Sequence, residues 1–157
     1  MTTQPRPSFK SIHGRRLGLG AYNELVTAGG SIPVTRAAVG ATISISAEGA
    51  TTGDTRDLAI TLTDAMGNAI DYAELFEIVM FSSSAMTDFV AAGGSTGVVQ
   101  GSVGKLLAVV AKKHFHCLTS TAGAWSGTYL DTGTAAGYLA VRLPNGRIIG
   151  GGTVTNA

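Results

Sequence analysis

The sequence predicts an antiparallel β-sandwich of seven to nine short strands with an extended N-terminal arm. Three observations carry the prediction. Apolar residues alternate with small polar ones at a period of two in residues 41–48 and 57–63. Clusters of Gly, Asn, Asp and Ser interrupt such runs about every 8 to 12 residues. Gly, Thr, Ser, Val and Ala dominate the composition, with 22 glycines, as in turn-rich all-β domains.

Taken in order, residues 1–30 read as a basic arm and residues 31–157 as the sandwich. The first 20 residues hold two prolines, Arg6, Lys10, Arg15, Arg16 and His13 and have little to bury, so alone they should be disordered. Ala41–Glu48 alternates as a strand. In Asp57–Thr63, Leu58, Ile60 and Leu62 form one face. Asp64-Ala65-Met66-Gly67-Asn68 then turns the chain, because Asp and Asn bond their own backbone and Gly takes positive φ. Leu75–Phe81 is almost continuously apolar and fits a strand buried on both faces, although a short helix has the same composition. Residues 84–92 have room for a helical turn, and Gly93–Gly97 is a loop.

Residues 104–111 and 114–119 read as two more strands, separated by Lys112-Lys113. Gly123-Ala124 turns the chain and Trp125–Thr132 returns it. Residues 138–143 alternate, and Asn145-Gly146 signals a hairpin that brings residues 147–149 and 153–155 back. Gly150-Gly151-Gly152 marks a bend or bulge.

A chain of 157 residues is the size of one domain with a sizeable core. Its charged fraction, 13%, is about half the usual share, so we expect neighbouring subunits to cover part of the surface. The net charge of +1 argues against bulk electrostatic attraction to nucleic acid. Charge is nonetheless segregated. Eight acids lie from Glu48 to Asp88 against Arg56 alone, and five bases lie from Lys105 to Arg147 against Asp131 alone. Such segregation suits either solvated faces or complementary contacts between copies. No apolar run approaches the roughly 18 residues of a membrane span. Met-Thr-Thr-Gln-Pro-Arg-Pro has no apolar signal core, so we expect synthesis in a cytoplasm.

Chemistry is sparse. Cys117 is the single cysteine, so no internal disulfide forms, and it should pack as a small apolar residue. His114 and His116 share a strand face while Cys117 points away. Two ligands do not close a zinc site, and we expect no nearby carboxylate or Cys pair to complete one, so the expectation is no metal and no cofactor. A Ser82–His114–Asp88 triad can be written, but no nucleophile elbow accompanies it, and no enzymatic activity is expected. Neither a phosphate loop nor a dinucleotide-binding glycine pattern is present. Trp125 and Tyr129, four apart, share a face and are the candidate surface-binding pair, with packing at a sandwich end as the plainer reading.

Thr63-Asp64-Ala65-Met66-Gly67-Asn68-Ala69, following its strand, resembles the strand-turn of bacterial and phage immunoglobulin-like domains, with Ala69 where proline is usual. Ser11–Leu19, followed by Glu24-Leu25-Val26, resembles the N-terminal leader of small virion proteins of tailed bacteriophages. The C-terminal Leu-Pro-Asn-Gly-Arg segment and the low charge share that resemblance. It implies a capsid decoration, or head auxiliary, protein with an immunoglobulin-like sandwich. Such a protein is often a homotrimer and binds the major capsid protein on the outer capsid surface through its arm. Carried to this chain, Arg6, Lys10, His13, Arg15 and Arg16 would lie on the capsid, and Leu17 and Leu19 would pack the arm down. Neither nucleic acid nor membrane is an expected partner. A tail tube, tail terminator or fibre-base protein is the alternative within virions. An immunoglobulin-like glycan-binding adhesion module, using Trp125 and Tyr129, is the alternative outside them.

Overall fold

The computed structural model describes residues 24–27, 30–33, 37–49, 54–134 and 136–156. It is all-β, and among the described residues no helix is long and apolar enough to cross a membrane. The chain divides into two compact units at Ala37/Ala38. In the first unit, β1 (Glu24–Thr27) and β2 (Gly30–Pro33) form an antiparallel hairpin that spans the boundary expected at residue 30. The arm residues Arg6 to Leu19 lie outside the described residues.

Among its described residues the second unit contains nine strands in two antiparallel sheets, consistent with a β-sandwich. They are β3 (Gly40–Ile45), β4 (Thr55–Thr63), β5 (Leu75–Phe81), β6 (Gly97–Gln100), β7 (Lys105–Val110), β8 (His114–Leu118), β9 (Ala124–Leu130), β10 (Gly137–Arg142) and β11 (Ile148–Val154). The four-stranded sheet runs β3-β4-β9-β6 and the five-stranded sheet β11-β10-β5-β8-β7. Period-two alternation turns one side of each sheet inward. Leu58, Ile60, Leu62, Trp125 and Tyr129 from the first meet Phe76, Ile78, Met80, Phe115, Cys117, Leu139 and Val141 from the second. Burial pushes the Cys117 thiol up to about 12, as its expected role of apolar packing requires.

Of three turns, one is closed by a side chain and two are set by backbone conformation. Asp64 Oδ1 accepts the Met66 and Asn68 backbone N–H groups at 2.9 and 3.0 Å, closing the turn after β4. After β10, Gly146 N–H donates to Leu143 O and Leu143 N–H to Arg147 O, each at 2.8 Å. Gly146, at φ 84°, is the residue there in the left-handed region, so the connection is a three-residue loop rather than a two-residue one with both Asn145 and Gly146 left-handed. Between β7 and β8, Lys112 adopts φ 65°, and its backbone lies against Gly93, where a Cβ would overlap the Lys112 carbonyl. The expected bulge in the triple glycine is present: Leu139 pairs with Gly152 and Ala140 with Gly150, leaving Gly151 over.

β5 is buried on both faces only at its end. Residues 82–90 fold back without a helix and cover Val79 and Phe81, with Phe89 stacked on Phe81 at 6.3 Å. At the start of β5, Leu75 is exposed and Glu77 half-buried.

A polar clasp fixes the C-terminal residues. Arg56 Nε donates to Thr155 O and Asn156 Oδ1, both at 3.0 Å, and Nη1 donates to Ser46 O at 3.1 Å. Arg56 Nη2 also donates to Thr155 O. Asn156 Nδ2 donates to Asp131 O at 2.9 Å, and Asp131 Oδ1 accepts Ser95 N–H at the same distance. Asn156 and Asp131 are buried, so their bonds replace lost hydration. The lone base of the acidic segment is therefore a structural tie.

Candidate functional site on the outer face of the five-stranded sheet

Strand pairing lines up one row across four strands. Leu107 on β7 lies opposite His116 on β8, His116 opposite Glu77 on β5, and Glu77 opposite Arg142 on β10. His114 is two residues from His116 on the same face and diagonal to Glu77, within reach of a long side chain. The row therefore reads apolar, imidazole, carboxylate, guanidinium.

Glu77 sits at its centre. His114 Nε2 is 3.1 Å from Glu77 Oε2, and Arg142 Nη1 donates to the same oxygen at 3.2 Å. An ionised carboxylate only accepts, so the proton between the first pair sits on His114 Nε2. His116 Nε2 is 3.8 Å from Glu77 Oε1, an ion-pair distance rather than a hydrogen bond. Burial pushes the Glu77 carboxyl up, but the hydrogen bonds from His114 and Arg142 outweigh it and hold the group below its ordinary value. The two imidazoles meet edge to face, with centroids 5.6 Å apart. A shallow cleft of about 240 Å³ opens beside them, between Leu75, Glu77, His116, Arg142 and Pro144.

Glu77 supplies what the sequence reading lacked. No carboxylate lies beside His114 and His116 in sequence, but β5 delivers one 37 residues away. Each of Glu77, His114 and His116 offers a donor atom, and the three atoms lie within 4.8 Å of one another. Cys117 faces the core and contributes nothing here. His114 is engaged with Glu77, whereas Asp88 Oδ2 accepts from Thr87 Oγ1 at 3.0 Å and Asp88 O from Ser82 N–H at 2.8 Å, so neither interaction joins a Ser82–His114–Asp88 relay.

Beside the row runs the sheet edge. β7 pairs with β8 alone within its sheet, and Leu107, Val109 and Val110 are exposed, Leu107 at 67%. The ladder shifts between Ala108 and Val110, and Lys105 and the Lys112-Lys113 pair bracket the apolar stretch.

The candidate platform of Trp125 and Tyr129 is corrected. The pair does share a face, but it is the inner one, and the two residues are 1% and 0% exposed. Trp125 Nε1–H donates to Lys105 O at 3.1 Å, and its ring meets Phe76 edge to face at 6.2 Å. The indole bridges the two sheets and offers no surface to a sugar. An i, i+4 spacing on a strand fixes a shared side without saying which side is inside. Comparison of the chain with protein-family models, curated proteins and solved structures returns no match.

Proposed function

We propose that this chain is a structural subunit that works by lying against its neighbours. In its specific form the reading is a decoration protein on the outside of a tailed-phage capsid, bound to the major capsid protein. The observation that carries the general reading is the apolar edge of β7. An edge strand presents unpaired backbone groups, and proteins that stay monomeric usually protect it with charge or proline. Here the middle of the edge exposes Leu107, Val109 and Val110, while the lysines stand at its two ends. That arrangement favours one bounded contact over open-ended stacking. The low charged fraction, 13%, supports the same reading.

The capsid form rests on the resemblance of Ser11–Leu19 and of the Asp64 turn. Its mechanism is mass action: a protein that binds only the assembled shell stabilises it, and several linked contacts raise the effective concentration of each. Sedimentation of the full chain tests the general reading. We expect an oligomer, a trimer first, that dissociates in Leu107→Lys/Val109→Lys without loss of β-structure; a wild-type monomer would refute it. Removal of residues 1–20 tests the capsid form. Shells should then lose the protein although the sandwich still folds, and normal decoration would refute the role of the arm.

A further inference from the structure

We propose that Glu77, His114 and His116 form a binding site for a divalent transition-metal ion of the zinc class. The donor set, two imidazole nitrogens and a carboxylate, suits such an ion and leaves a coordination position open. The geometry is close to what the ion requires. A tetrahedral centre with bonds of about 2.0 to 2.1 Å sets its ligand atoms about 3.3 Å apart. Glu77 Oε2 is 3.1 Å from His114 Nε2 and Glu77 Oε1 is 3.8 Å from His116 Nε2. Small side-chain rotations therefore separate the present arrangement from a coordinating one.

The fold holds the three donors in place. Glu77 is directly opposite His116 in the β5–β8 ladder, and both strands lie inside the five-stranded sheet. Their inward neighbours, Phe76, Ile78, Phe115 and Cys117, are buried in the core, so the outward side chains stand on a fixed base. His116 is half exposed and lines the cleft, which gives the ion an entry path and the open position access to solvent.

Arg142 is the competing cation. Its guanidinium occupies the same Glu77 oxygen as His114, and it neutralises the carboxylate when no ion is bound. It is itself half exposed, so it can turn outward. Binding also removes the proton from His114 Nε2, because that lone pair must face the ion.

The test is titration of the full chain with Zn(II), followed by calorimetry, and with Co(II), followed by the visible bands of tetrahedral cobalt. We expect one saturable site per chain. His116→Gln changes an exposed side chain, should leave the thermal melt unchanged, and should weaken binding at least about 10-fold. His13→Gln, which alters the remaining histidine of the sequence, should leave binding intact. Arg142→Ala should tighten it by roughly 10-fold through lost charge repulsion. Absence of saturable binding overturns the proposal, as does wild-type affinity in His116→Gln or loss of binding in His13→Gln.

Discussion

On the four-stranded sheet the outward residues are mostly short or polar, among them Thr42, Ser44, Asp57, Ala59, Thr61, Ser126 and Thr128, with Val99 on its β6 edge an exposed apolar exception. On the five-stranded sheet they include Leu75, Glu77, Leu107, His114, His116 and Arg142. Both sheets have the same apolar inner side, so folding alone does not explain the contrast. Short hydroxyl and methyl groups satisfy a solvated strand surface at low entropic cost. Large apolar groups in water and a packed charge cluster contribute little to stability. Their concentration on the five-stranded sheet is the feature that the proposed contact with a neighbour would use.

The contrast can be broken from the inside outward. Trp125→Ala has the largest expected effect, a loss of about 3 to 5 kcal/mol in denaturant unfolding, because it empties the space between the sheets. A near-neutral result would return the indole to the surface. Arg56→Ala should cost about 1.5 to 3 kcal/mol, since it strips bonds from Asn156 and the Thr155 carbonyl, and hydrogen exchange near Val154 should accelerate.

Alkali probes the inner sides of both sheets together. Burial raises Cys117, and burial followed by the nearby Asp131 charge raises Tyr129. Both groups are neutral when protonated, and the unfolded chain loses their protons first. Their contribution is therefore complete below the unfolded values and is lost as pH rises. For Cys117 the window runs from its ordinary 9.0 to about 12. Thermal melts across that range should fall steadily, and the Cys117→Ala variant should fall less. The smallest expected effect separates the two outer faces. Thr128→Lys on the four-stranded sheet should change stability by no more than about 0.5 kcal/mol and leave sedimentation unaltered. If it dissociated the oligomer as Leu107→Lys/Val109→Lys is expected to, the assignment of the contact to the β7 side would be wrong.

Local chemistry made much of the sandwich readable. Alternation in residues 41–48 and 57–63 identified β3 and β4, although β3 ends at Ile45; the Asp64 turn closed as its side chain dictates, and the triple glycine became a bulge. What escaped reading was non-local. Glu77 joins His114 and His116 through ladder register, which sequence spacing does not encode. Burial of the β5 outer face depended on residues 82–90 returning over Phe81. The parity of Trp125 and Tyr129 was right, but choosing the inner side needed both sheets.

The lodging of Lys112 against Gly93 constrains how this scaffold can be re-engineered. Two connections from different parts of the chain interlock there, and added residues in either would prise the other away. Gly67 and Gly146 face open space at the tips of their turns. A foreign epitope displayed on this protein belongs at those tips.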